Sequence, residues 1–124
     1  MKKQLIIPIL AAFLVSAYAI LLSGSTNSAA QPEVSFVNDV FPILQNRCSS
    51  CHMGEYTSKN LHMDTYESLM AGSQNGPVIV AGNAKDSLLV EKISSGEMPK
   101  RGPKLTPAQI QIIGDWINAG APNN

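Results

Sequence analysis

The stretch Cys48-Ser49-Ser50-Cys51-His52 decides the fold of this 124-residue chain, and it holds both of the chain's cysteines. Two cysteines three positions apart, followed at once by a histidine, form the pattern that attaches a c-type haem. Each thiol can form a thioether bond to one vinyl group of the porphyrin, and the histidine nitrogen can bind the iron. We therefore expect one covalently attached haem c, with Cys48 and Cys51 as attachment points and His52 as an axial ligand.

Other uses of this pattern fit the sequence less well. A structural zinc site needs four ligands, and His62 is the one further histidine in the chain. A redox C-x-x-C would lie near a βαβ pattern, which is not visible here. A structural disulfide between Cys48 and Cys51 stays open as an alternative, although it would give His52 no role.

The first 30 residues have the features of an export signal. Residues 1–3 are positively charged, residues 5–22 are almost wholly apolar, and Ser28-Ala29-Ala30 has the small residues of a cleavage site. Because the apolar run approaches the length of a membrane span, a retained anchor is the alternative to cleavage after Ala30. Either outcome places the rest of the chain in the periplasm or another extracytoplasmic compartment, where haem is attached covalently.

Residues 31–124 are enough for one domain, which we divide into a linker at 31–35 and the domain itself at 36–122. They carry seven Lys and Arg against nine Asp and Glu. Neither a basic run nor a nucleic-acid motif is present, so nucleic acid is excluded as a partner. A domain of this size has a marginal core, which a covalently held apolar cofactor would stabilise.

The apolar spacing predicts an all-α domain of about four short helices with long loops. The first helix starts near Phe36, with Ser35 as its N-cap. Pro42 either kinks this helix or begins its second half. A second, short helix covers 65–71 and ends at Gly72.

Two further helices follow the long loop at 73–82. The third opens at Asp86 or Ser87 and ends at Gly96. The fourth begins at Thr106-Pro107, an N-cap followed by proline at the first helical position. We expect Leu88, Leu89 and Ile93 to face inward on the third helix, and Ile113, Trp116 and Ile117 to be buried on the fourth.

A second axial ligand must approach the iron from the face opposite His52. Its candidates are Met53, Met63, Met70, Met98 and His62. Met98 lies in a loop whose backbone Pro99 and Pro103 restrict, and such a loop can hold a thioether at the iron with little further ordering. We predict Met98 as the sixth ligand and keep His62 as an alternative.

In order and spacing, most of residues 36–121 resembles the small planctomycete-type cytochrome c domain, within the class I cytochromes c. The matching segments are Phe41-Pro42-Ile43-Leu44, Leu61-His62-Met63-Asp64-Thr65, Gly76-Pro77-Val78-Ile79-Val80-Ala81-Gly82, Ser87-Leu88-Leu89, Met98-Pro99 and Trp116-Ile117-Asn118-Ala119-Gly120-Ala121. The resemblance implies a small cytochrome c fold around one haem, with His52 and Met98 as axial ligands. It also implies that the first and last helices pack together beside the haem.

These observations predict an exported monohaem cytochrome that transfers single electrons between transient redox partners and is not an enzyme. A six-coordinate iron has no open position for a substrate, and the sequence shows no other catalytic constellation. The alternatives are a haem-based ligand-binding or sensor domain and a membrane-anchored cytochrome subunit of a respiratory complex. Lys100, Arg101 and Lys104 lie beside Met98, where they could neutralise haem propionates or meet an acidic partner.

Overall fold

The computed structural model describes residues 33–124, so the predicted export signal or anchor at 1–30 lies outside the described residues. Four α-helices form the described part: α1 (Phe41–His52), α2 (Tyr66–Ala71), α3 (Leu88–Ser94) and α4 (Pro107–Asn118). A π-helical turn precedes α1, and a 3-10 turn lies between α1 and α2. Within 33–124 there is no strand, which confirms the predicted all-α fold of about four short helices. No helix in this range is long and apolar enough to cross a membrane.

The N-terminal helical segment begins as the π-helical turn Phe36–Val40 and continues directly into α1. Ser35 caps the turn, because its Oγ accepts the Asn38 backbone N–H at 3.2 Å. Pro42 lies in the first turn of α1, where its missing N–H costs no hydrogen bond. The sequence left open whether Pro42 kinks the helix or begins its second half, and in the structure it begins the second half.

The second and third helices start and end close to their predicted bounds. Thr65 caps α2, and Gly72 ends it with a φ of 85°. A Cβ at Gly72 would lie 2.6 Å from the Gly76 carbonyl oxygen, so this turn requires glycine. Ser87 is the residue that opens α3. Leu88 differs from the expectation because its side chain is 39 % exposed.

The last helix, α4, begins with a capping box. Thr106 Oγ1 accepts the Gln109 N–H at 3.2 Å, and Gln109 Oε1 accepts the Thr106 N–H at 3.0 Å. Ile113, Trp116 and Ile117 are fully buried along one face of the helix. The predicted buried face of this helix is therefore confirmed.

An aromatic cluster joins the first and last helical segments. The Phe36 ring lies 5.3 Å from both the Trp116 ring and the Tyr66 ring, measured between centroids. Trp116 Nε1 donates to the Pro122 carbonyl at 2.8 Å, and Tyr66 Oη donates to the Ala121 carbonyl at 2.8 Å. These bonds hold the segment after α4 against the cluster.

The same segment continues back to the start of the π-helical turn. The Asn124 carbonyl accepts the Val37 N–H at 3.0 Å, and Asn124 Oδ1 accepts the Phe36 N–H at 2.8 Å. Val34 also packs against the core. Residues on both sides of 36–122 therefore contribute to the packed unit.

Candidate haem site

A cavity of about 590 Å³ lies beside the C-terminal half of α1, and its volume is in the range of cofactor pockets. The four predicted site residues Cys48, Cys51, His52 and Met98 all line it. Its apolar lining is formed by Leu61, Met63, Val78, Leu88, Leu89 and Ile93. Its cationic lining is formed by Arg47, Lys59, Lys92, Lys100 and Arg101.

Both cysteines are free thiols, so the structure does not support the disulfide alternative. Cys48 is buried and Cys51 is half-buried. Burial, with a smaller contribution from the neighbouring Cys51, raises the pKa of the Cys48 thiol to about 11. Cys48 is therefore protonated near neutral pH. Thioether formation adds an S–H bond across a vinyl group, so the reduced thiol is the form that this chemistry needs.

His52 is buried at the end of α1, with its ring held by a backbone carbonyl. Its Nδ1 lies 3.3 Å from the Leu61 carbonyl oxygen, a contact that favours the tautomer with the proton on Nδ1. In this tautomer the Nε2 lone pair is free to bind a metal. Burial lowers the pKa of His52, and the bond to Leu61 only partly opposes this effect. The imidazole is therefore neutral at pH 7.

Three of the five candidates for the sixth ligand do not line the cavity. They are Met53, Met70 and His62. The Nδ1 atom of His62 lies 3.6 Å from a carboxylate oxygen of Asp64, outside the cavity lining. The geometry therefore gives no support to ligation by two histidines.

The two remaining candidates, Met63 and Met98, reach the cavity from different elements. The Met63 N–H donates to the His52 carbonyl at 2.7 Å, so the Met63 backbone is bonded directly to the end of α1. The Met98 N–H donates to the Lys92 carbonyl at 3.0 Å, which ties the loop to α3. Met98 is thus the candidate that approaches the cavity from an element not bonded to His52.

The side chain of Arg47 indicates, independently of the motif, which kind of group fits this cavity. Its Nε atom is buried and has no hydrogen-bond partner among the described residues. A buried guanidinium donor without a partner is costly, and a carboxylate is the partner that it binds best. Free thiols, a neutral histidine, apolar walls and this guanidinium together fit a haem with its two propionates.

Sequence reasoning missed several residues of the lining. Leu88 was expected in the protein core, but it faces the cavity together with Lys92. Their spacing of four residues on α3 places both side chains on one helix face, and this signal could have paired them. Lys59 lies in the 3-10 turn Ser58–Asn60, and no sequence pattern connects it to the site.

Of the three basic residues predicted to lie near Met98, the structure brings two to the cavity. Lys100 and Arg101 line the cavity. Lys104 does not, but its Nζ donates to the Pro99 carbonyl within the same loop. Among residues 33–124 no group of three or more His, Cys, Asp or Glu side chains could hold a metal ion. The zinc alternative therefore finds no support in this range.

An all-helical domain in which a C-x-x-C-H histidine and a loop methionine line one cavity has the features of the cytochrome c class. Residues 48–102 match the planctomycete cytochrome C family, a span that runs from the first motif cysteine through the Met98 loop. The chain therefore contains a planctomycete cytochrome C domain over these residues. A cytochrome c domain implies haem-based electron transfer, and members of the family are typically electron carriers. The comparisons with curated proteins and with solved structures gave no match.

Proposed function

We propose that this protein is an exported electron carrier with one haem c, attached through Cys48 and Cys51 and ligated by His52 and Met98. The observation that carries the proposal is that these four side chains, from two separate parts of the sequence, line one cavity. When bound, the haem supplies one-electron chemistry, because its iron alternates between the ferric and ferrous states. The remaining chemistry belongs to the side chains around it.

The two axial residues have different tasks. His52 offers a neutral imidazole whose orientation the Leu61 carbonyl restrains through Nδ1. Met98 offers a soft thioether, which stabilises ferrous iron relative to ferric iron and raises the reduction potential. If both residues ligate the iron, they would leave no coordination position open to a substrate, which is the property of an electron carrier.

The apolar walls of the cavity would exclude water from the part of a bound haem that they contact. Val78, Leu89 and Ile93 are buried apolar residues that line it. A low-dielectric surrounding disfavours the extra positive charge of ferric iron, so these walls would also raise the potential of a bound haem. Arg47 is positioned to bind a carboxylate of the porphyrin, which would satisfy its buried Nε donor.

We place the domain in the periplasm or another extracytoplasmic compartment, with transient redox proteins as its partners. Covalent haem attachment takes place in that compartment, and residues 1–30 have the pattern of an export signal. Residues 5–22 are either removed with this signal or retained as an anchor. N-terminal sequencing of the mature protein separates the two, because cleavage after Ala30 leaves Gln31 as the first residue.

Absorption spectra of the purified exported protein, in both oxidation states, test the haem itself. We expect the sharp visible bands of a reduced c-type cytochrome. We also expect a haem-stained band that survives a denaturing gel, because thioether bonds resist denaturation. Protein made with haem-maturation machinery that shows no stained band would contradict the proposal.

The sixth ligand is tested by replacing Met98 with alanine, with Met63→Ala as the matched control. The ferric parent should show the weak long-wavelength sulfur-to-iron charge-transfer band. Met98→Ala should lose this band, bind added cyanide or imidazole more readily, and have a lower potential. Met63→Ala should keep the band, since Met63 also lines the cavity but is not the proposed ligand. If Met63→Ala loses the band and Met98→Ala keeps it, Met63 is the sixth ligand instead.

Turnover experiments separate an electron carrier from a haem enzyme or ligand sensor. A neutral small reductant should reduce the ferric protein quickly and reversibly, with little effect of added exogenous ligand. Steady-state turnover of peroxide or nitrite well above the rate of free haem would favour an enzyme instead.

A further inference from the structure

The carbonyl that contacts the imidazole of His52 belongs to a loop rather than to a helix. Leu61 lies between α1 and α2, directly after the 3-10 turn Ser58–Asn60. Lys59 and Asn60 in this turn have φ values of 59° and 55°, a left-handed conformation that residues other than glycine adopt at a cost. The loop therefore needs contacts outside the turn to keep the Leu61 carbonyl in place.

Two hydrogen bonds close this loop where the chain leaves α1 and approaches α2. The Met63 N–H donates to the His52 carbonyl at 2.7 Å, and the Gly54 N–H donates to Asp64 Oδ1 at 3.0 Å. We call these two bonds the loop base. One bond joins two backbone groups, whereas the other depends on the carboxylate of Asp64. Asp64 is therefore the side chain whose substitution can open the loop base.

The neighbours of Asp64 and Gly54 fix the positions of the two bonded groups. Asp64 comes directly before Thr65, whose Oγ1 accepts the Ser68 N–H at 3.1 Å and caps α2. Gly54 follows His52 by two residues and has a φ of 102°, which favours glycine. The bond between them therefore joins the start of α2 to the end of α1. A charged acceptor forms a stronger hydrogen bond than a neutral one, which suits a bond that is exposed to water.

Asp64 itself lies outside the cavity. Its side chain is 42 % exposed and does not line the cavity. Its other near neighbour is His62, whose Nδ1 lies 3.6 Å from Asp64 Oδ2, beyond the range of a hydrogen bond. The bond to Gly54 is thus the closer contact, and the loop is the physical connection between Asp64 and His52.

We propose that Asp64 is a positioning residue for His52: its carboxylate holds the loop base closed and so keeps the Leu61 carbonyl at Nδ1 of the imidazole. The inference rests on the proposed function, since the orientation of His52 matters to electron transfer only if His52 ligates the iron. A hydrogen bond to the outer nitrogen fixes the tautomer and orientation of a ligating imidazole and raises its basicity. Asp64 would thereby tune the iron without touching the haem or its ligands.

The test follows the Nδ1 proton of His52 by NMR in the isotope-labelled ferrous holoprotein. Asp64→Ala should speed the exchange of this proton with water by at least about tenfold, because the loop that carries its acceptor opens more often. The Nε1 proton of Trp116, which donates to the Pro122 carbonyl, is the internal reference for global unfolding. Its exchange should change by less than about twofold, since its acceptor is not part of the loop.

Two control variants separate the hydrogen bond from the charge and from the contact with His62. Asp64→Asn removes the charge but keeps an acceptor oxygen, so it should restore most of the protection of the His52 proton. His62→Ala removes the other neighbour of Asp64 and should leave this exchange within about twofold of the parent.

The midpoint potential gives a second measurement of the same effect. A less basic imidazole stabilises ferric iron less, so opening the loop base should raise the potential. Losing the negative charge of Asp64 also raises the potential, but Asp64→Ala and Asp64→Asn share this loss. The potential of Asp64→Ala should therefore lie above that of Asp64→Asn.

The positioning role of Asp64 is overturned if Asp64→Ala exchanges the His52 proton at the parent's rate. It is also overturned if the protons of His52 and Trp116 accelerate equally, because Asp64 then stabilises the whole fold. The Gly54 amide of the parent provides a check that needs no variant: exchange at the rate of an unfolded peptide would show that Asp64 does not hold it. A parent without covalent haem overturns the proposed function and this role together, whereas the other outcomes leave the proposed function intact.

Discussion

The aromatic cluster beside α4 and the cavity beside α1 are both apolar, but they are completed in different ways. In the cluster, Phe36, Tyr66 and Trp116 pack ring against ring, with centroids 5.3–6.4 Å apart. Every polar atom of the cluster's tyrosine and tryptophan side chains is bonded to the segment after α4. The cavity instead combines apolar walls with an unpartnered guanidinium nitrogen on Arg47. The chain's own side chains complete the first region, whereas we propose that a bound haem completes the second.

This contrast predicts that substitutions in the two regions have separate effects. A change in the cluster should reduce the free energy of unfolding and leave the spectrum of the surviving holoprotein unaltered. A change in the cavity should alter haem retention, ligation or potential.

His52→Ala should have the largest effect, because it removes the proposed axial ligand that the Leu61 carbonyl orients. Cofactor binding contributes to folding, so we expect the yield of haem-stained protein to fall to less than about a tenth of the parent's. His62→Ala is the control, since His62 does not line the cavity. A His52→Ala protein with the parent's spectrum and yield would contradict the assignment.

Trp116→Ala should be the most destabilising change in the cluster. Trp116 is fully buried and donates to the Pro122 carbonyl at 2.8 Å. Truncating a large buried aromatic costs about 3–5 kcal/mol, a large share of the stability of a small domain. Denaturant unfolding of the holoprotein measures the loss, with the exposed Tyr56→Ala as the control. A parent-like midpoint for Trp116→Ala would show that the cluster does not stabilise the fold.

Ser87→Ala tests the loop that precedes α3. Ser87 is fully buried, accepts the Val80 N–H at 2.9 Å through Oγ, and donates to the Asn83 carbonyl at 2.8 Å. Leaving these part-buried backbone groups without their side-chain partner should cost about 1–3 kcal/mol. The exposed Ser95→Ala should cost less than about 0.5 kcal/mol in the same unfolding measurement. Equal losses in the two variants would contradict the importance of burial at Ser87.

The parts of the fold that could be predicted are those that local chemistry decides. Thr106-Pro107 begins α4 because a capping hydroxyl and a proline in the first turn act within a few residues. Gly72 ends α2 because its positive φ favours glycine and a Cβ there would lie 2.6 Å from the Gly76 carbonyl oxygen. The C-x-x-C-H motif likewise has its chemistry in five consecutive residues, so its position at the end of α1 needed no knowledge of the tertiary fold.

The parts that could not be predicted depend on contacts between distant segments. Apolar spacing marked Leu88 and Leu89 alike, and both line the cavity, but tertiary packing leaves Leu88 exposed and buries Leu89. The same holds for Met70 and Met98, which are both apolar candidates until the fold brings one of them to the cavity. Lys59 lies in a 3-10 turn that the apolar spacing of the sequence does not predict.

Arg47→Gln should have the smallest effect on folding and a measurable effect on the haem. If Arg47 binds a propionate, removing its charge makes ferric iron easier to form, so the midpoint potential should fall. A partly screened unit charge contributes about 1 kcal/mol, which corresponds to about 40 mV for a one-electron couple. Spectroelectrochemical titration measures this shift.

Arg47→Lys provides the matched control, because it keeps the charge but loses the planar fork that binds a carboxylate through two hydrogen bonds. Its potential should lie between those of the parent and Arg47→Gln. In unfolding experiments both variants should stay much closer to the parent than Trp116→Ala does. If Arg47→Gln leaves the potential unchanged and instead destabilises the fold as strongly as Trp116→Ala, Arg47 stabilises the fold as the aromatic cluster does. It would then have no role in binding the haem.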